Sequence, residues 1–195
     1  MKKILLVCLL GSINLVAKQN DGSLLLSVAG VANDRVSDID SETNTDDLNY
    51  GFGALVEGNF NSYFGIETGA LLIKRNYTFE AGPLKATQSV KRLHIPVLAR
   101  VWPTNFFSIA GGGFTSIKTG SVDTELDLNN TNIADINTSA DDSVEFGLEA
   151  AATLNFAVNK KTGLFVEGRY SQALGEESNE DSNHLMGLAG LKFNL

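Results

Sequence analysis

Long apolar runs, cysteine, proline and basic charge are all scarce in this chain of 195 residues, and each scarcity removes a class of protein. Beyond the N-terminus, every apolar stretch is broken by Glu57, Glu67, Arg100, Glu149 or Glu167. A membrane-crossing helix needs about 20 consecutive apolar residues, so none is expected there. Lys and Arg number 15 against 23 Asp and Glu, a net charge of −8, so no basic patch offers itself to phosphates and no nucleic-acid partner is expected. Three prolines against 19 glycines argue against a disordered linker and suit an all-β chain with many polar turns. Cys8 is the only cysteine, which excludes an intrachain disulfide and a Cys–His zinc cluster. With His94 and His184 the only histidines, and with no phosphate loop and no G-x-S-x-G elbow, neither an enzyme nor a cofactor is expected.

What is present begins with Lys2 and Lys3, followed by an apolar stretch from Ile4 to Val16 and the small Ala17. That order predicts a signal peptide over residues 1–17; a buried N-terminal strand or helix is the alternative. Its removal takes Cys8 with it and leaves the mature chain more acidic. Residues 22–195 then form a single domain.

Through that domain the dominant pattern has period two, the spacing at which strand side chains return to the same face. From Val144 to Val158, one face reads Val144, Phe146, Leu148, Ala150, Ala152, Leu154, Phe156 and Val158. The other reads Glu145, Gly147, Glu149, Ala151, Thr153, Asn155 and Ala157. A helix would mix the two sets. The same division recurs from Tyr50 to Phe60, Phe64 to Leu72, Arg92 to Val101, Val166 to Ser171 and His184 to Leu195, and less cleanly in Leu24 to Ala32 and Phe106 to Ile117. Eight strands follow, each long enough for a tilted crossing of about 9–11 residues.

The connections alternate in length. Those near Asn61–Ser62, Pro103–Asn105 and Asn159–Gly163 are short and rich in turn residues. Those at Asn33–Asn49, Phe79–Gln88, Thr119–Asp142 and Gly175–Asn183 are long and polar. Outer-membrane barrels sort their connections in this way, with short turns in the periplasm and long loops outside. Strands cross lipid only as a closed barrel, because an open edge leaves backbone groups unpaired. The predicted fold is therefore all-β, an eight-stranded antiparallel up-and-down transmembrane β-barrel in the outer membrane of a Gram-negative-type bacterium.

The chain resembles the small outer-membrane barrels, the OmpA-like and OmpX-like group. The alternating end Leu191-Lys192-Phe193-Asn194-Leu195 resembles the C-terminal strand read by the barrel-assembly machinery, although that strand usually ends in an aromatic residue. The run Arg92-Leu93-His94-Ile95-Pro96-Val97-Leu98 is similar to a strand of PorT-like barrel domains, where an acidic residue often stands in place of His94. The resemblance implies outer-membrane lipid and the barrel-assembly machinery as partners, and an unidentified extracellular partner for the loops; unlike in full OmpA-like proteins, no peptidoglycan-binding domain is expected after the barrel.

With the apolar faces on lipid, Glu57, Glu67, Glu145, Glu149 and Glu167 point inward with Arg92, Arg100, Arg169 and Lys192. An eight-stranded barrel has room for little beyond its own side chains, so these charges are expected to pair as an interior network. The network reads as purely structural or as the gate of a narrow ion path. His94 should face inward among the arginines, and His184 should lie near the outer rim. Pro96 has no N–H to give a closed sheet, which predicts a bulge at Ile95–Pro96. Tyr50, Phe60, Tyr63, Phe64, Trp102, Phe106, Phe107, Phe156 and Tyr170 fall near strand ends and suit an interfacial aromatic girdle; ordinary strand aromatics are the alternative. The acid runs Asp38–Glu42 and Asp123–Asp127 lack the Gly and Glu of an EF-hand loop and read as solvated loops, with no metal site. Three functions remain: an outer-membrane barrel with a structural or surface-interaction role, a narrow gated channel, or a soluble periplasmic or secreted β-barrel that binds an apolar ligand.

Overall fold

A computed structural model describes residues 22–36, 48–81, 84–128, 131–139, 144–174 and 183–195. The predicted signal peptide and the Asp38–Glu42 run lie outside the described residues. The strands are β1 (Leu24–Val36), β2 (Asn49–Asn59), β3 (Phe64–Ala81), β4 (Leu84–Val101), β5 (Phe107–Leu128), β6 (Thr131–Ser139), β7 (Val144–Ala157), β8 (Thr162–Ala173) and β9 (Asn183–Asn194). All pairings are antiparallel. Eight of the strands are staves of one closed wall, in the order β1, β2, β3, β4, β5, β7, β8, β9, and the ring shuts where β1 meets β9, with Leu25 opposite Asn194.

The short turns are fixed by side chains that replace backbone acceptors. Asn61 Oδ1 accepts the N–H groups of Tyr63 and Phe64 at 2.8 and 2.9 Å. Asn159 Oδ1 does the same for Lys161 and Thr162 at 2.8 and 2.9 Å. Thr104 Oγ1 accepts from the N–H of Phe107 at 3.1 Å. These turns lie at the periplasmic end by the rule that sorts barrel connections.

Two of the four long connections are not loops through most of their length. Phe79–Ala81 and Leu84–Gln88 continue β3 and β4 as a paired hairpin. Within Thr119–Asp142, β5 runs on to Leu128 and β6 returns beside it. Polar composition suggested loops there; once a strand leaves lipid, a polar residue on its outer face is no obstacle to the ladder. Beyond the barrel rim the sheet order is β3, β4, β5, β6, and β6 belongs to this extension rather than to the closed wall.

Pro96 is accommodated without a bulge. Its register against Phe114 on β5 is regular, and the β4–β5 register shifts only between Val90 and Lys91. Against β3, the ladder lapses between the Thr68–Val97 and Leu71–His94 pairs and resumes in the same register. The missing N–H therefore costs a local gap in one ladder rather than an inserted residue.

Burial alternates along the staves, as it must when one face meets lipid and the other a packed lumen. On β7, Val144, Phe146 and Leu148 are exposed while Glu145 and Glu149 are buried. On β1, whose two faces look alike in sequence, Leu25, Ser27, Ala29, Val31 and Asn33 turn inward. The lumen also holds apolar groups: Leu55, Leu71, Ile73, Phe165, Met186 and Leu188 pack as one cluster.

Candidate functional site

The lumen contains a ladder of ion pairs at successive levels along the barrel. At its centre, Arg100 of β4 and Arg169 of β8 are almost wholly buried, at 0% and 1% exposure. Arg100 Nη2 donates to Glu67 Oε2 at 2.6 Å and to Glu167 Oε2 at 2.7 Å, and its Nη1 donates to Ser108 Oγ at 2.8 Å. Arg169 Nη2 reaches Glu67 Oε1 at 2.6 Å, Nη1 reaches Glu149 Oε1 at 2.8 Å, and Nε donates to Glu167. Thr153 links Arg100 to Glu167. Two guanidinium groups thus hold three carboxylates from β3, β7 and β8, and the planar fork of arginine suits that shared geometry.

Below this centre, toward the periplasm, Lys192 Nζ donates to Glu57 Oε2 at 3.0 Å and Trp102 Nε1 donates to Glu57 Oε1 at 2.9 Å. The Lys192 ammonium also lies 5.2 Å from the centre of the Trp102 ring. Above it, Glu149 Oε2 accepts from His94 Nε2 at 2.7 Å and from Ser171 Oγ at 2.8 Å. His94 stacks on Phe114 with ring centres 4.7 Å apart. Toward the outer rim, Glu145 Oε2 accepts from Arg75 at 2.8 Å and pairs with Arg92 at 3.0 Å, while Arg92 Nε donates to Ser116 Oγ at 3.1 Å. His184 is buried at the outer start of β9, beside Ser171 in the register.

All nine charged residues singled out from the sequence lie in this ladder: Glu57, Glu67, Arg92, Arg100, Glu145, Glu149, Glu167, Arg169 and Lys192. Arg75 was missed because the alternation on β3 was followed only to Leu72. Carried two steps further, through Ile73, it places Arg75 inward. The uncharged partners Ser108, Ser116, Thr153 and Ser171 carry no distinguishing mark in sequence beyond their inward parity.

Trp102 is not part of a girdle. It is 2% exposed and its indole N–H is committed to Glu57. A buried carboxylate needs a donor, and the first residue after β4 is placed to supply it. Tyr50, Phe60, Tyr63, Phe64, Phe106 and Tyr170 are exposed on the outer surface, and Phe107 and Phe156 are half-buried.

The outer surface of the closed wall is apolar from strand to strand, with Val97, Leu148, Leu154, Val166, Phe146 and Leu185 all exposed. A closed antiparallel ring with an apolar exterior and charges sealed inside is the architecture of a membrane barrel. The sequence model of the outer membrane protein beta-barrel domain matches residues 21–179. The chain belongs to that family. It is an integral barrel of the outer membrane of a Gram-negative-type bacterium, in contact with outer-membrane lipid.

Among solved structures, this outer-membrane barrel is similar to OprG from Pseudomonas aeruginosa, at 14% identity and a TM-score of 0.59, over 92% of this chain and 99% of that one. It is also similar to Ail, the attachment invasion locus protein of Yersinia pestis, solved with the heparin analogue sucrose octasulfate. There the identity is 12% and the TM-score 0.51, over 90% of this chain and 99% of that one. No curated protein sequence matches the chain. At such identities the likeness to solved structures concerns the fold. An apolar exterior against lipid leaves no place for the soluble, ligand-binding barrel.

Proposed function

We propose that the protein is a non-conducting outer-membrane barrel whose lumen is braced shut by its ion pairs and whose work is done outside, by the strands that rise beyond the rim. The observation that carries this reading is the crossing of the lumen by two arginines. Arg169 on β8 bonds Glu67 on β3, and Arg100 on β4 bonds Glu167 on β8. Staves that are not neighbours in the wall are thereby tied through its centre. For a hydrated ion to pass, several charge-assisted bonds must break together in a space of low dielectric, where each lost partner leaves a buried charge uncompensated.

Catalysis has no part in this reading. His94 Nε2 is held by Glu149 and its ring stacks on Phe114, inside the braced lumen. The barrel-assembly machinery inserts the chain, and the extracellular strands meet a partner outside the cell.

Conductance of the purified barrel in planar bilayers tests the closed lumen. The expected trace is silent across the voltage range. Regular single-channel openings that disappear in an Arg100→Gln or Arg169→Gln variant would establish the gated channel instead.

A further inference from the structure

We infer that the lipid-facing side of β1–β4, at its outer end, is a binding site for one phosphate-bearing lipid of the outer leaflet. Lys74 and Lys91 hold the phosphate, and an acyl chain lies in the apolar groove beneath them. The inference rests on the placement of the wall in the membrane and not on the closed lumen, which conductance tests separately.

The register sets the two lysines directly opposite each other, Lys74 on β3 and Lys91 on β4. Both are exposed on the outer surface. On β3 the outward positions from Phe64 to Leu72 carry no charge, and neither do those from Leu93 to Val101 on β4. Each stretch is nine residues long, and a tilted strand crosses in about 9–11. The lysines therefore stand where both strands leave the apolar band, at the end away from the short turns. Tyr50, one step past the Gly51–Ile73 pair, flanks Lys74 on β2 and is 70% exposed, as suits a tyrosine at headgroup depth.

Like charges directly opposite in a ladder are destabilising. Among the described residues neither ammonium has an ion-pair partner. The acids nearest in the register, Asp34 on β1 and Asp123 on β5, stand one row higher and face neither lysine across a ladder: Asp34 is opposite Leu185 and Asp123 opposite Ser89. An anion between the two ammoniums removes their repulsion, and at this depth the anions are lipid phosphates. Directly above the lysines, Ser89 Oγ donates to Asn76 Oδ1 at 2.8 Å, so the rim over the pair offers polar, uncharged groups to the rest of a headgroup.

Beneath the lysines the wall is hollowed by a groove of about 680 Å³. It is lined by the small Gly30, Ala54 and Ala70 and by the larger Phe52, Leu72 and Leu93. Leu72 pairs with both Phe52 and Leu93 one row below the lysines, and Ala54 pairs with Ala70 in the row below that. Small side chains among larger ones leave a mostly apolar slot, in which an acyl chain buries its surface against the wall. The slot starts at the phosphate site. Charge at the rim and a slot in line with it are independent features that one amphipathic molecule satisfies together. A second copy of this chain packed about a two-fold axis would bring its own lysines to the same rim, so lipid and not protein is the occupant.

The test uses the whole chain in uncharged detergent, with native mass spectrometry to count bound lipid and dimyristoyl phosphatidic acid as the probe. Dimyristoyl phosphatidylcholine and dimyristoylglycerol, which lacks the phosphate, are the control lipids, and inorganic phosphate is the competitor. One phosphatidic acid per barrel should be retained at saturation, at least about tenfold more tightly than either control lipid, as two lysines at a charged membrane surface supply. The K74Q/K91Q variant, still heat-modifiable on gels, should lose at least about tenfold in affinity, and K74R/K91R should keep it. K160Q/K161Q, which changes two exposed lysines at a periplasmic turn, should bind like the parent. A54L/A70L, which fills the groove, should weaken the phosphatidic acid. Equal binding by the parent and K74Q/K91Q, an equal loss in K160Q/K161Q, or unchanged binding in A54L/A70L would each overturn the proposal. Complete displacement by inorganic phosphate at the concentration of the lipid would reveal a site for the free anion and overturn it as well.

Discussion

Replacing Arg169 by Met should weaken the barrel more than any single change on its lipid face. In the folded chain this guanidinium touches Glu67, Glu149 and Glu167, all buried. Methionine keeps much of the side-chain volume and supplies no donor. Glu67 and Glu167 then depend on Arg100, and Glu149 on His94 and Ser171. Removing one partner of a buried ion pair costs about 3–5 kcal/mol, because the remaining charge stays desolvated. The assay is urea unfolding in lipid vesicles, followed by heat-modifiable mobility on gels and by tryptophan emission. If the penalty is a stranded carboxylate, R169M/E67Q should recover at least about 1 kcal/mol relative to the sum of the single changes, since contacting buried groups couple by about 0.5–3 kcal/mol. A variant R169M that unfolds within about 0.5 kcal/mol of the parent, the range of ordinary surface substitutions, would refute the brace.

Leu148, 54% exposed in the outward row of β7, should not tolerate charge; L148R is expected to lose about 2–4 kcal/mol of folding into bilayers, the cost of a lipid-face Arg near the midplane, and equal folding yield in vesicles would show that the facing is wrong. A methyl group at Gly190 would lie 2.0 Å from the carbonyl oxygen of Val28, whereas one at Gly30 would meet nothing within 4 Å. G190A should therefore destabilise by about 1–3 kcal/mol, as overpacking does, and G30A should fold like the parent; equal unfolding midpoints would remove the close approach of β1 and β9. Trp102 is the only tryptophan, so the emission of the folded protein reports it alone. Brominated lipid chains and acrylamide should both quench it weakly, whereas strong quenching by the brominated chains would return it to the girdle.

The membrane face and the lumen face of six strands were legible in the sequence, because the bilayer imposes a period-two rule on every stave. Glu149 beside Leu148, or Arg100 beside Val101, reads the same way without coordinates. On β1 the rule fails: Ala29 and Gly30 carry no polarity to separate inside from outside, and only pairing with β2 and β9 decides. The rule also says nothing above the rim, where both faces meet water or one another. Composition there suggested loops, and the ladders from Arg75 to Ala81 and from Ser121 to Leu128 were found only through their partners.

Sequence alone determined the class of fold, the charges of the lumen and the side on which lipid lies. It did so because burial in a bilayer is a property of each residue and its neighbours two places away. The tertiary structure alone decided which carboxylate meets which arginine, that Trp102 turns inward to Glu57, and that β6 leaves the barrel wall. Those outcomes depend on register and on closure of the ring. They join residues as far apart as Glu67 and Arg169, whose meeting no local pattern encodes.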